Sequence, residues 1–301
     1  MPRSPILIDD AGYDDATKKA NAALIGDFLA WLRRRKWSPK TRQSYEVTLR
    51  QFYNYCSVDN LPFADVTPQD ANLFIIDCLQ HYAANTQRLK ISTLRSFYDY
   101  AQSLGVTDRQ PFLQSYLPKK EETRFTYITN TDFAGFIAYL EAHSSYPLIL
   151  GAKLMRYAGL RVSEACDIDI NNDIRPSNSG YDVYVKGKGG KERAVPIFSA
   201  DFCAEVKQLQ ALYPSPGLPI ASIFAPATMA QHLTNYSKQA GVNPTYTTHD
   251  LRRAFAVDLM QQTGNIEIVR MALGHSEYTT TLIYIRDQYN LVKAAAGTVR
   301  M

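Results

Sequence analysis

Between Thr248 and Ile285 the chain reads THDLRRAFAVDLMQQTGNIEIVRMALGHSEYTTTLIYI, and this stretch carries side chains suited to an anionic ester. His249 and Arg252 stand in an i, i+3 relation, His275 follows Leu273-Gly274, and Tyr284 follows in a short apolar, Thr-rich segment. Positions i and i+3 share one helix face, so His249 and Arg252 can address one target. Arginine offers a planar fork of donors and histidine one more, which suits a phosphate. A tyrosine hydroxyl surrounded by cationic donors is a candidate covalent nucleophile. Each residue alone is ordinary, since a His-x-x-Arg pair is usually a solvated helix face and a lone Tyr is usually packing. The weight comes from cationic residues elsewhere in the chain.

Those residues need elements to hold them. Leu148 to Ala158 reads as a helix with Leu150, Leu154 and Ala158 on one stripe, stopped by Gly159 in a left-handed cap. Arg161 then lies in a turn, and Ser163 is expected to cap the next short helix with Glu164 in its first turn. A charged side chain between apolar segments needs a partner. Tyr181 to Val185 alternates as a half-buried strand, Gly187-Lys188-Gly189-Gly190-Lys191 turns, and Arg193 to Ile197 returns, which predicts a β-hairpin. Its glycines would let Lys188 swing into a site. It is no P-loop, because Val185 takes the first glycine position and Glu192 follows Lys191. Further helices are expected from a cap at Thr131 through Leu140, over Ala200 to Leu212 and Ala227 to Ala240, and over Ile266 to Leu273 before Gly274. The tail, with Ala294-Ala295-Ala296, could form a short helix that packs on a neighbour.

The first part of the chain is helical by pattern. One helix is expected over Lys18 to Arg35. A second opens at Ser38-Pro39 and runs through Tyr45, Leu49, Phe52 and Tyr53, a third follows Thr67-Pro68, and a fourth covers Ala84 to Ser103 and ends at Gly105. Arg33, Arg34, Arg35, Lys36, Lys40, Arg42 and Arg50 crowd one segment, a local basic surface that points to nucleic acid. Lys40, Thr41 and Arg42 at the start of the second helix, with Arg88, Lys90 and Arg95 on the fourth, are the candidate DNA contacts. Residues from Gln110-Pro111 to Thr126 show little periodicity and read as a linker.

In chain order the candidate residues are Arg161, Lys188, His249-x-x-Arg252, His275 and Tyr284. Here the sequence resembles the tyrosine recombinase (phage integrase) family. The resemblance rests on AGLRVSEA around Arg161, GKGGKER around Lys188, HDLRR from His249 to Arg253, and LGHSEYTTTLIY ending in Tyr284, and covers Tyr127 to about Tyr289. Arg253 departs from the second His that many members carry. The resemblance implies that Tyr284 attacks a DNA phosphodiester to form a 3′-phosphotyrosyl link. Arg161 and Arg252 then hold the non-bridging oxygens, Lys188 protonates the departing 5′ oxygen, and His249 and His275 donate to the phosphate. No cofactor, metal or ATP is implied, because the link conserves the bond energy and cations take the electrostatic role. The partners implied are double-stranded DNA with inverted half-sites and a homo-tetramer, a dimer per site joined through the C-terminal tail. An accessory protein is left open.

The fold class expected is mainly α with a small β-hairpin or sheet (α+β). Its parts are a flexible start at 1–17, a four-helix, SAM-like core-binding domain at 18–106, a linker at 107–126 and a catalytic domain at 127–301. The short lead before the first helix favours an Xer-like or transposon-type layout. Composition is compatible: 46% hydrophobic and 12% aromatic residues fill two cores, and the net charge of +4 excludes nothing. Cys56, Cys78, Cys166 and Cys203 are far apart, against a zinc ribbon or a disulfide scaffold. No signal-peptide h-region or membrane-length apolar run is seen, so a cytoplasmic protein is expected. Integration, excision and dimer resolution all use such machinery. The alternatives are a catalytically inactive or partner-dependent DNA-binding protein, a type IB topoisomerase-like relaxer, a telomere resolvase and a metal-dependent nuclease.

Overall fold

The computed structural model describes residues 12–121, 127–178, 180–186, 192–213, 224–275, 277–278 and 281–282. The chain divides into two compact units, Met1–Thr123 and Arg124–Met301.

The first unit is helical: α1 (Asp15–Arg34), α2 (Pro39–Ser57), α3 (Pro68–Phe74), which continues as a π-turn over Ile75–Leu79, and α4 (Ala84–Ser103). The Asp14 carboxylate caps α1 by accepting from the Thr17 N–H at 2.7 Å, so the helix starts three residues before the apolar periodicity that predicts Lys18. Ser38 and Thr67 cap α2 and α3 with proline in the first turn, and Thr67 forms a reciprocal box with Asp70. The core is aromatic. Phe28, Phe52, Phe63, Phe74, Phe97, Tyr98 and Phe112 are wholly buried. Phe52 alone meets Phe63, Phe74, Tyr98 and Phe112 at centroid separations of 5.4, 5.0, 6.3 and 5.4 Å. Such pairs add about 0.5–1.5 kcal/mol each beyond area burial. Phe112 lies in the segment expected to be an interdomain linker. The first part of that segment packs on the helical unit: Phe112 fills its core, Thr107 Oγ1 donates to the Ala64 carbonyl at 3.1 Å, and Tyr116 Oη donates to the Pro68 carbonyl at 3.1 Å. Aromatic anchors without a repeat leave no periodic signal.

The second unit holds α5 (Asn130–His143), α6 (Tyr146–Tyr157), α7 (Val162–Asp167), α8 (Ile170–Asp173), β1 (Ile174–Ser177), β2 (Gly180–Lys186), β3 (Glu192–Pro196), α9 (Ala200–Leu212), α10 (Pro226–Gln239), α11 (Thr248–Thr263) and α12 (Ile266–Leu273). The strands form one antiparallel sheet in the order β1-β2-β3, with Ile174 opposite Val183 and Val183 opposite Val195, all three buried. The hairpin expected from the sequence is β2–β3. Strand β1 is an addition, short and interrupted by Pro176, which an edge strand tolerates. Two caps differ from expectation. Thr129, not Thr131, caps α5, because Asp132 completes a box only with the residue three positions before it. Arg161, not Ser163, is the cap residue of α7, because the Glu164 carboxylate reaches back to the Arg161 N–H at 2.8 Å. Helix α6 is apolar over Leu148, Ile149, Leu150, Leu154 and Met155 and packs on α11 in the middle of the core.

Candidate active site

The site begins where α6 stops. Gly159 takes a left-handed conformation (φ +61°), and a Cβ there would stand 2.3 Å from the Phe255 ring. The chain can therefore turn tightly against α11, and this turn aims the Gly159 carbonyl at Arg252. Helix α11 starts with Thr247 and Asp250 in a reciprocal box, which puts His249 and Arg252 one turn apart. Their surroundings differ. His249 is exposed, whereas Arg252 is 4% exposed. The Arg252 guanidinium donates from Nη1 to the Gly159 carbonyl at 2.6 Å and to Glu164 Oε2 at 3.3 Å, and from Nη2 to the Leu273 carbonyl at 2.6 Å.

Glu164 is the centre of the arrangement. Its carboxylate accepts from Arg161 Nη1 at 2.7 Å, from Arg193 Nη1 and Nη2 at 3.0 and 2.9 Å, and from Arg252 Nη1 at 3.3 Å. Burial alone would raise its pKa, but the bonds from Arg193 and Arg161 outweigh that and hold it at about 2. Three guanidinium groups on one carboxylate leave positive charge in excess. Arg161, with its side chain 40% exposed, carries part of that charge to the surface.

His275 lies beyond the left-handed Gly274 that ends α12. Its Nε2 is 3.4 Å from Arg252 Nη2 and its Nδ1 is 3.0 Å from Thr281 Oγ1. A guanidinium only donates, so Nε2 accepts, and Nδ1 bears the hydrogen and donates to Thr281. Burial, then the charges of Arg252, Arg161 and Arg193, lower the His275 pKa to about 4, so the ring is neutral at neutral pH. Arg270 braces the turn, donating to the His275 carbonyl at 2.8 Å while pairing with Glu267 at 2.6 Å.

Of the six catalytic candidates, Arg161, Arg252 and His275 thus fall into one hydrogen-bonded unit, and His249 sits exposed on the first turn of α11. Lys188 and Tyr284 lie outside the described residues, as does the Ala-rich tail. Two members of the site, Glu164 and Arg193, are not among the candidates that the sequence pattern offers. The partner that Arg161 requires in its turn was the available signal for Glu164. Arg193 reads as an ordinary strand residue, and only the fold shows that it points at Glu164.

In the helical unit the candidate DNA contacts separate. Lys40 is exposed on the first turn of α2, Thr41 is held by Ser38 at 2.7 Å, and Arg42 Nε donates to the Trp37 carbonyl at 3.3 Å. Lys90 is drawn inward: it is 8% exposed, donates to Gln51 Oε1 at 2.8 Å and lies 4.7 Å from the Tyr82 ring centre. Arg88 donates to the Pro118 carbonyl and Arg95 to the Phe112 carbonyl, so both hold the segment after α4 in place. Among the described residues no His, Cys, Asp or Glu cluster could hold a metal, and no helix is long and apolar enough to cross a membrane.

Comparison with known proteins gives a consistent picture. The profile of the phage integrase family matches residues 126–290, and that of the phage integrase N-terminal SAM-like domain matches residues 25–105. Tyrosine recombinase XerC of Halalkalibacterium halodurans is 30% identical over 296 residues, covering 89% of this chain and 96% of the relative. A solved lambda integrase dimer bound to a COC′ core site shares the fold with a TM-score of 0.72 at 18% identity, covering 89% of this chain and 77% of that one. A lambda integrase tetramer bound to a Holliday junction does so with a TM-score of 0.69 at 18% identity, covering 86% and 78%.

Proposed function

The chain belongs to the phage integrase family and is a tyrosine site-specific recombinase, an enzyme that cuts and rejoins DNA, and from that premise we propose how its residues divide the work. Tyr284 is the nucleophile. Its hydroxyl oxygen attacks the scissile phosphorus, the bond to the 5′ oxygen breaks, and a 3′-phosphotyrosyl link forms. Lys188 delivers the proton to the departing 5′ oxygen. Arg161 and Arg252 stabilise the charge that grows on the non-bridging oxygens, His249 donates to the same phosphate, and the neutral His275, whose Nε2 is an acceptor, takes up the proton that the Tyr284 hydroxyl gives up. Attack by a second 5′ hydroxyl on the link completes strand exchange and regenerates Tyr284.

The observation that carries this reading is the Glu164-centred cluster. It gathers Arg161, Arg252 and His275 from three separate elements and leaves excess positive charge beside an arginine that is only partly buried. A binding-only protein needs basic residues on its surface, but it has no need of two arginines locked to one buried carboxylate beside a histidine held neutral.

Residues 18–106 are assigned as the core-binding domain and 127–301 as the catalytic domain with an exchange tail. Lys40, Thr41 and Arg42 are assigned to the DNA backbone. By likeness to the lambda integrase tetramer, two protomers occupy each inverted-repeat site and four join two duplexes. The chemistry is placed in the cytoplasm, where the four free thiols stay reduced.

The test is a suicide substrate. The cleavable site is first recovered from a random-sequence pool as duplexes that the wild-type protein captures covalently in EDTA. A nicked duplex bearing that site is then incubated with wild type and with Tyr284→Phe, and the adduct is read on a denaturing gel. The expected outcome is a metal-independent adduct that the Phe variant loses completely while still shifting DNA on a native gel. An adduct that survives would move the role to Tyr278 or Tyr289. Tyr278 is poorly suited, because its hydroxyl bonds to Glu267, which raises its pKa.

A further inference from the structure

We infer that Arg193 is a positioning residue for the phosphate-binding arginines, fixing Arg161 and Arg252 through Glu164 and fixing the turn before His275 through the Ala272 carbonyl. The inference rests on the reading of Arg161 and Arg252 as donors to the scissile phosphate.

Arg193 sits on β3 opposite Val185. Its side chain is 14% exposed, and all three of its nitrogens are used within the protein. Nη1 and Nη2 grip the two oxygens of Glu164 in parallel, and Nε donates to the Ala272 carbonyl at 3.0 Å. One side chain therefore ties three elements together: β3, the first turn of α7 and the last turn of α12. The fit is close on the α12 side. Gly274 is left-handed, and a Cβ there would lie 3.0–3.1 Å from Arg193 Cδ, Cζ and Nε.

Geometry separates its role from those of its neighbours. Arg161 meets Glu164 through one Nη and keeps a side chain 40% exposed, so it can turn toward a ligand. Arg193 engages both carboxylate oxygens and faces inward, so it sets the plane of the carboxylate against which Arg161 and Arg252 are registered. Only a fork can do this. A lysine in its place would keep the charge and lose the two-point grip and the Ala272 bond together. The cluster would then keep its charge and lose part of its registration, and where both are lost a displacement of about 1 Å at a catalytic donor costs on the order of a hundredfold in rate.

The experiment compares two nicked duplexes bearing the site recovered above. One has the ordinary scissile phosphodiester. The other has a methylphosphonate there, in which a methyl replaces one non-bridging oxygen and removes the negative charge that the arginines balance. Adduct formation is followed for wild type, Arg193→Met, Arg193→Lys, Arg161→Ala and Arg252→Ala, with thermal melting and DNA affinity measured for each. Arg193→Met is expected to slow the phosphodiester reaction by about a hundredfold and Arg193→Lys by about tenfold, with DNA affinity retained. On the neutral substrate both deficits should shrink to within about threefold, as those of Arg161→Ala and Arg252→Ala should, because the demand for charge stabilisation is gone. Arg193→Lys keeps the test open if the Met variant fails to fold. Equal slowing of both substrates by the Arg193 variants, while the Arg161 and Arg252 deficits are relieved, would overturn the inference alone and leave Arg193 a general structural residue. Arg161 and Arg252 variants that cleave the phosphodiester at the wild-type rate would instead remove the phosphate reading, and the inference with it.

Discussion

In the helical unit, Lys90, Arg88 and Arg95 turn onto uncharged acceptors: the Gln51 side chain and the carbonyls of Pro118 and Phe112. In the second unit, Arg161, Arg193 and Arg252 turn onto one carboxylate, Glu164. Both arrangements satisfy donors that would otherwise lose water. They differ in what they leave over. A lysine on an amide, or an arginine on a carbonyl, closes a local gap and fastens one segment to another. Arginines that share one carboxylate hold each other at fixed spacing, and their summed charge exceeds what the carboxylate neutralises. That excess adds to burial in lowering the His275 pKa and faces outward through Arg161. The same residue types therefore act as scaffold in one unit and as a charged site in the other, and the partner decides which.

Three measurements break or sharpen this contrast. The largest effect is expected from Phe52→Ala, which empties the centre of the aromatic core and should destabilise the first unit by about 3–5 kcal/mol. Trp31 and Trp37 are the two tryptophans of the chain, and both lie in that unit. Urea unfolding followed by tryptophan fluorescence should shift strongly, while a second transition visible in far-ultraviolet circular dichroism stays in place. Equal movement of both signals would show that the units do not unfold independently.

Acid should act in the opposite direction. His275 has a folded pKa of about 4 against an ordinary 6.5, so its contribution is whole above pH 6.5 and is lost as pH falls to 4. Glu164, at about 2 against 4.5, contributes fully above pH 4.5 and loses its share as pH falls through 2. Both losses fall on the second unit. Lowering pH from 7 to 4 should destabilise it by about 2 kcal/mol, mostly through His275, whose partial exposure reduces the full conversion of its shift. Lys90 has a pKa lowered by burial, so its penalty is relieved only as pH rises and is unchanged over this interval. The circular-dichroism transition should therefore move toward lower urea at pH 4 while the tryptophan transition moves less. The reverse order would refute the assignment of the acid-sensitive groups to the second unit.

The smallest effect separates exposed from inward lysines. Lys40→Ala should weaken DNA binding by about 1 kcal/mol and reduce the salt dependence by about one counterion. Lys90→Met should leave that salt dependence unchanged, because its ammonium faces Gln51 and Tyr82. A reduced salt slope for Lys90→Met would mean that Lys90 leaves its pocket to reach DNA.

Local signals in the sequence were legible wherever one short segment sufficed. Ser38-Pro39 and Thr67-Pro68 predict two helix starts where the structure has them, and Gly159 predicts the left-handed stop after α6. Where two signals compete, the local pattern alone misplaces the cap. Thr131 and Ser163 are plausible caps, but the acidic residue three positions on selects Thr129 for α5, and Glu164 reaches back to Arg161 for α7. Strand β1 went unseen because four residues with a proline carry no alternation. Lys90 on its helix looked like Arg88 and Arg95, and nothing in the local pattern says that Gln51 stands opposite it.

The sequence by itself determined the family, the order of the candidate residues and the helical and hairpin elements that carry them, because residue types at short spacing and local backbone preferences are properties of adjacent residues. Only the tertiary structure decided that Arg252 is buried while His249 is exposed, and that Glu164 holds three arginines. It alone brought Arg193 from a strand to the turn before His275. These facts join residues far apart in the chain, such as Arg252 with Gly159 and Arg193 with Ala272, and they follow from how α6, α7, α11, α12 and the sheet pack. A pair interaction across the core depends on distance and burial, and neither quantity exists until the chain has folded.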